Sequence, residues 1–333
     1  RCLLCGRILV SVSEHINAGD LECAERTHSL ADCHSLRIES GLLHHMTGKS
    51  DAVCLTPVAD IVGKACCKSL AGVVVIEVSD LRNTVSKLPK EQVFLNYLRC
   101  HDDIGWGLDY PTLRWWGMEE VPHKKYLNDY FRGFTGADAR GELYNEDPVT
   151  GDARLCGTTA SLCGLEGADK DIAIRKITML HAMMLFQSGI PVLYSGDEIG
   201  QLNDWDYKLD PNKVQDSRYL HRGKMPWEQV KELDNPASSQ AKLFRSLGEL
   251  ETIRKTHRAF SSQAAFWTFD TGADSVLGIA RYHQGELLIG CFNFGETDYV
   301  LKKQSRIVRN LLTGEEYSQA VIIPGFDFVW LST

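Results

Sequence analysis

The large aromatic residues of this chain all lie on one side of a seam, and that division limits what each side can fold into. All thirty Phe, Trp and Tyr residues fall at or after Phe94, and residues 1–93 contain none. Seven of the eleven cysteines lie within the first 67 residues. At 9% aromatic overall, a run of that length without one ring is far outside ordinary sampling. Leu and Val also bury well, so an unusual aliphatic domain is one reading of residues 1–87. The simpler reading, and the expected one, is an aberrant or poorly ordered segment, frameshifted or misassembled, joined to a genuine sequence starting near residue 88. Residue 1 is Arg rather than Met, so a normal reading frame is expected to begin upstream.

Composition narrows the class. At 44% apolar and 24% charged, the 333 residues suit a soluble globular protein of one large domain or two. A formal net charge of -8 argues against a nucleic-acid partner, which is usually met by a basic surface. No apolar run approaches the roughly 18 residues needed to cross a bilayer, and the longest, residues 71–78, ends in charge. Residues 1–12 lack the long apolar run of a signal peptide. The cysteine count is odd. Cys2 and Cys5 form a CxxC with no second pair to complete a zinc site, and Cys23 and Cys33 have poor metal spacing. Free thiols in a reducing, cytoplasmic setting are expected, with no metal and no cofactor; secretion stays open because the native N-terminus is absent. Gly48-Lys49-Ser50 echoes a phosphate-binding loop, but Leu43 stands where that loop needs Gly.

After the seam the pattern becomes regular. Residues 93–98 are a short apolar run, read as a buried strand. Residues 104–165 are rich in Gly, Asp, Trp and Tyr and read as a long excursion with short helices, such as 124–131. Asp169 and Asp171 open a helix to about Gln187 that is apolar nearly all round, hence buried. Gly189 ends it, and residues 190–194 form a second buried strand. Ser238 or Ser239 caps a helix with Leu243, Phe244, Leu247, Leu250 and Ile253 on one face. Beyond residue 264 strands alternate with turns at His283-Gln284-Gly285 and Thr313-Gly314-Glu315. Alternating βα units argue for parallel strands, with polar loops after them as in a barrel. The expected division is 1–87, then 88–260 as the barrel part with its excursion 104–165, then 261–333 as an antiparallel β-sandwich. In that tail Phe292, Phe294, Phe328 and Trp330 should lie in or near the core, each pair two apart on one sheet face.

The sharpest cluster is Arg99-Cys100-His101-Asp102-Asp103, at the end of the first strand. A solvated strand end with a helix cap is the bland reading. The functional one is a site for a polyhydroxylated ligand, whose hydroxyls donate to the carboxylates and where one acid can stabilise a developing oxocarbenium ion.

Four motifs then carry a resemblance. Asn96-Tyr97-Leu98-Arg99-Cys100-His101-Asp102-Asp103-Ile104-Gly105-Trp106 is similar to the seventh-strand motif of amylosucrases, in glycoside hydrolase family 13, the α-amylase superfamily. Gly189-Ile190-Pro191-Val192-Leu193-Tyr194-Ser195-Gly196-Asp197-Glu198-Ile199-Gly200 resembles that family's eighth-strand signature. Asp216-Ser217-Arg218-Tyr219-Leu220-His221-Arg222 resembles a motif of its sucrose-acting members, and Thr150-Gly151-Asp152-Ala153-Arg154-Leu155-Cys156-Gly157-Thr158 the excursion after strand seven. The resemblance covers residues 88–333. It implies an α/β fold, the C-terminal part of a (β/α)8 TIM barrel followed by an antiparallel β-sandwich. Asp102 resembles the acid that stabilises the transition state, and His101 a donor to the glucosyl ring. Asp103 and Arg218 resemble the pair at the closed end of the glucosyl pocket, and Arg154 an acceptor-side residue, with a surface arginine as its bland reading. Asp197 and Glu198 are expected to shape the loop after the last strand.

The resemblance also implies a strand-four Asp nucleophile and a strand-five Glu acid/base. At roughly 31 residues per βα unit, these should lie about 95 before Asp102 and about 60 before His101. Asp51 is only 51 before Asp102 and Glu77 only 24 before His101, so both are read as coincidences. The implied activity is glucosyl transfer from sucrose to an α-glucan by retaining double displacement, with fructose released. A sucrose hydrolase or α-glucosidase of the same family is the alternative, and a non-catalytic sugar-binding remnant the alternative of another class. The chain by itself is expected to be inactive.

Overall fold

In this computed structural model the structure describes residues 54–57, 93–105, 108, 110–115, 117–302 and 307–333. The expectations for residues 1–53 and 58–87, including Asp51 and Glu77, lie outside the described residues. Three parallel strands form the first sheet. β2 (Phe94–Tyr97) sits between β1 (Cys54–Pro57) and β6 (Ile190–Pro191), with Leu95 opposite Ile190 and Asn96 opposite Pro191. Parallel neighbours need a long crossover, and α4 (Lys170–Phe186) supplies its helix. Asp169 caps α4 by accepting the Ile172 N–H at 2.9 Å, and from Ala173 to Phe186 nearly every residue is buried. Gly189 follows at φ 128°, where a Cβ would meet the Phe94 carbonyl oxygen at 2.5 Å, so only glycine lets the chain return this close to β2. β6 is shorter than the expected 190–194. Pro191 cannot donate to a ladder, and after Val192 donates to the Asn96 carbonyl the chain turns away, Asp197 N–H bonding back to Tyr194.

The excursion between β2 and α4 has its own small core and an antiparallel sheet in the order β3 (Ile104–Gly105), β5 (Arg154–Cys156), β4 (Glu142–Tyr144). Leu108, Leu113, Leu127, Phe131 and Leu155 pack together there. The helices are α1 (Tyr110–Trp115), α2 (Glu120–Phe131) and α3 (Thr159–Leu162). α2 starts four residues before the expected 124, because Pro122 falls in the first turn, where no N–H is required.

After the short α5 (Trp227–Val230), α6 (Ser239–Thr256) lies against α4. Ser238 caps it, accepting from Ala241 N–H at 3.0 Å. Leu243, Leu247, Leu250 and Ile253 are buried, and Phe244 is half-buried at the edge of that face.

The tail is antiparallel: β7 (Ala265–Phe269), β8 (Val276–His283), β9 (Glu286–Asn293), β14 (Asp327–Ser332), β11 (Val308–Asn310) and β12 (Glu316–Tyr317) are adjacent in that order in one sheet, with β10 (Tyr299–Lys302) and β13 (Ala320–Ile323) paired in a second. Gln284 and Gly285 take φ of 47° and 85° between β8 and β9, the backbone of a type I′ hairpin. The large sheet is covered on both faces. Cys291, Val329 and Leu331 meet Val321 and Ile323 of the second sheet. Phe292, Phe294, Phe328 and Trp330, all buried, turn the other way and join Leu185 and Phe186 of α4 and Leu250 of α6. The four aromatics therefore lie in the seam between tail and helices, beside the sandwich interior rather than inside it.

Two arginines bind that seam. The fully buried Arg281 of β8 donates to the carbonyls of Ala259 (2.7 Å), Phe186 (3.0 Å) and Ser261 (3.1 Å). Arg254 of α6 donates to those of Gly189 (2.9 Å) and Leu185. Their guanidinium groups thus answer the last carbonyls of α4, where a helix leaves acceptors unpaired and favours positive charge. No helix among the described residues is long and apolar enough to cross a membrane.

Candidate active site

The chain leaves β2 through Leu98 into a loop anchored from below. Arg99 is buried, and its guanidinium meets Asp197 Oδ1 through Nε (2.9 Å) and Nη2 (2.7 Å), lying 4.4 Å from the centre of the Tyr194 ring. Asp197 belongs to the 3₁₀ turn Asp197–Ile199 after β6 and also accepts from Thr159 Oγ1 at 3.0 Å. A buried ion pair stabilises little once its desolvation is counted, but breaking one side leaves a bare charge. The pair therefore fixes where the two strand-end loops lie relative to each other. Glu198 is buried too, accepting the Gly196 N–H at 2.7 Å, and burial raises the pKa of its carboxyl. Both acids point inward, away from the open side of the loop.

Above this anchor stand the residues of the sequence cluster. Asp102 is partly exposed and its two oxygens are divided. Oδ2 lies 3.4 Å from His101 Nε2, while Oδ1 lies 3.3 Å from Arg222 Nη2 and 4.0 Å from Arg218 Nη1. Asp103 is met at 3.8 Å by Arg154, reaching across from β5. Arg218, expected to reach Asp103 or its immediate surroundings, reaches the neighbouring Asp102 rather than Asp103 itself. The Nε and Nη2 edge of Arg218 is taken by Asp216, two residues back in the chain, through two bonds of 2.8 Å. That bidentate grip, with the Tyr144 ring 4.7 Å away, leaves Nη1 directed at Asp102. The Asp216 carboxyl is held below the usual range chiefly by the Arg218 bond.

Two residues of this site were not singled out from the sequence. His221 and Arg222 both fasten the carbonyl of His101, His221 through Nε2 at 3.1 Å and Arg222 through Nε at 2.6 Å. His221 Nδ1 accepts the Gly157 N–H at 3.1 Å, so the proton sits on Nε2 and the ring is neutral. Burial is the main cause pushing its pKa down to about 4. The signal was available: two further basic residues follow Arg218 within four positions, in the 3₁₀ turn Ser217–His221 and its cap. All five sequence-selected residues, His101, Asp102, Asp103, Arg154 and Arg218, thus come together from the end of β2, from β5 and from this turn. The result is a polar surface of three arginines against three acids, suited to accepting hydrogen bonds from hydroxyls and to balancing charge.

No family model matches the chain. It is 30% identical over 130 residues to the glucosylglycerate phosphorylase of Escherichia coli (strain K12), a match covering 38% of this chain and 22% of that protein. Among solved structures it resembles AmyP in complex with maltotriose, with a TM-score of 0.51, 14% identity and 84% of this chain against 50% of that one. It also resembles sucrose 6F-phosphate phosphorylase from Thermoanaerobacter thermosaccharolyticum, with a TM-score of 0.50, 15% identity and 72% of this chain against 43% of that one. The chain spans half or less of the length of each. With parallel strands joined by a crossover helix, an excursion after β2 and an antiparallel β-sandwich, the chain has the fold of the end of a (β/α)8 barrel and a following antiparallel β-domain, the architecture it shares with these solved structures.

Proposed function

We propose that this chain supplies the glucosyl-binding wall of an α-glucoside-processing site, in an enzyme of the amylosucrase type that moves glucose from sucrose to an α-glucan and releases fructose. The observation that carries the reading is Asp102, held beyond a barrel strand by Arg222 and Arg218 with His101 beside it. In this reading Asp102 stabilises the charged transition state, and His101, Asp103 and Arg218 hold the sugar hydroxyls. Arg154 lies toward the acceptor, and the unit 88–260 carries the pocket while 261–333 buttresses it. A cytoplasmic location is part of the same proposal.

Asp102 stabilises charge that other groups create. Retaining chemistry also needs a nucleophile and an acid/base about 5–5.5 Å apart. The chain by itself is therefore expected to bind sugar without releasing fructose. Titration with sucrose and with maltotriose tests this: binding should be lost in Asp102→Asn, while helical content stays the same. Equal glucose and fructose from sucrose would favour a hydrolase, and no sugar binding at all would leave a remnant. A second reading is favoured by the three arginines around Asp102 and Asp103, which suit an anionic acceptor, and by the phosphorylase name of the curated relative. There, fructose would leave as the carboxylate nucleophile bonds to the anomeric carbon, and a phosphate oxygen would then attack that carbon as its bond to the carboxylate oxygen breaks. Glucose 1-phosphate from sucrose and phosphate would identify it.

A further inference from the structure

Cys100 takes no part in the sugar reading, yet its sulfur lies within the site. The Cys100 Sγ, a ring nitrogen of His101 and a carboxylate oxygen of Asp102 all lie within 4.8 Å of one another. We propose that these three consecutive residues form a binding site for a thiophilic divalent cation of the zinc class.

Consecutive side chains in an extended strand point to opposite faces, so three neighbours can converge only where the chain bends. It bends at His101 and Asp102, and the Asp102 N–H donates to Cys100 Sγ at 3.4 Å, which folds the sulfur back over the turn. His101 Nε2 and Asp102 Oδ2 are 3.4 Å apart. Two ligands about 2.0–2.1 Å from a tetrahedral ion stand roughly 3.3 Å from each other, so this edge already has the length a metal needs. The sulfur has to close by on the order of 1 Å, a side-chain rotation at an incompletely buried residue.

The surroundings supply what usually orients a ligand set. Asp102 Oδ1 is held by Arg222, leaving Oδ2 free of arginine and facing the histidine. The backbone of His101 is pinned at its carbonyl by Arg222 and His221. Hydrogen-bonded ligand carboxylates and fixed ligand backbones are the usual supports of a metal site. The nearby cations do not leave a bare positive field, since Arg99 is paired with Asp197 and Arg218 with Asp216. The exposed His101 ring gives an entry path from solvent and a side open to a fourth ligand. One sulfur, one nitrogen and one oxygen suit zinc, or cobalt(II) as its probe, rather than magnesium or calcium. On binding, the thiol proton passes to solvent and sulfur bonds to the metal as thiolate, so affinity rises with pH.

Cobalt(II) titration tests this without reference to any sugar. The Cys2→Ser, Cys5→Ser protein removes the CxxC as a rival site. It should develop the near-ultraviolet thiolate-to-cobalt charge-transfer band, and zinc should bleach that band. Adding Cys100→Ser should abolish it, and His101→Ala, at an exposed position, should weaken cobalt binding at least tenfold with circular dichroism unchanged. The proposal is overturned if the parent shows no band. It is equally overturned if the band survives Cys100→Ser, or if His101→Ala binds cobalt as tightly as the parent.

Discussion

At the scale of the residue, His221 joins the excursion to the loop of His101 and Asp102 in one protonation state. Its pKa is pushed from the usual 6.5 down to about 4, so between those values the unfolded chain binds a proton that the folded one refuses. Stability therefore rises with pH through that window. The contribution is complete above about 6.5 and lost as pH falls toward 4, on the order of 3 kcal/mol in all. The fully buried His181, also shifted down mainly by burial, acts in the same direction. Urea midpoints measured from pH 7.5 to 4.5 should fall on acidification, and His221→Gln should flatten part of that slope. An unchanged slope would mean that His221 does not carry the effect. The acids are legible in the sequence because adjacent Asp102 and Asp103 after an apolar strand are hard to explain as packing. His221 is not, because burial, not residue type, makes a histidine a fixed neutral bridge, and burial of a short 3₁₀ turn leaves no periodic trace.

At the scale of the element, what was legible had a strong local cause. α4 shows as an apolar run behind Asp169, and the β8–β9 hairpin shows in Gln284-Gly285, where two left-handed residues are required. The β3–β5–β4 sheet escaped notice because its strands are two or three residues long, too short for alternation to register. α6 offers a measurable case. Ser238→Ala removes the side-chain acceptor for Ala241 N–H and should lower unfolding stability by about 1 kcal/mol, read as a smaller urea midpoint with an unchanged slope.

At the scale of the whole molecule, aromatic residues from three parts of the chain form one cluster. Phe186 meets Phe260 (5.4 Å) and Phe292 (6.0 Å) edge to face and Trp330 (5.4 Å) at a tilt, tying helix, connector and tail together. Phe186→Ala should cost about 3–5 kcal/mol and shift the melting of α-helical and β signals together. If only the helical signal moved, the two layers would be unfolding independently. The pairing of tail residues in twos was readable from the sequence, but not which covering layer each face would meet, since that depends on contacts between distant parts of the chain.

The buried arginines have a consequence for how such a chain can be recombined. The carbonyls of Phe186 and Leu185 that end α4 are answered by Arg281 from the β-tail and Arg254 from the preceding helix. A tail grafted from a relative lacking the first arginine would strand the Phe186 carbonyl in an apolar seam, and a transplanted tail would carry a guanidinium that keeps only the Ser261 carbonyl of its three acceptors. Helix end and tail should therefore be inherited, exchanged and engineered as one cassette, with viable crossover points upstream of α4 rather than at the boundary that the strand pattern suggests.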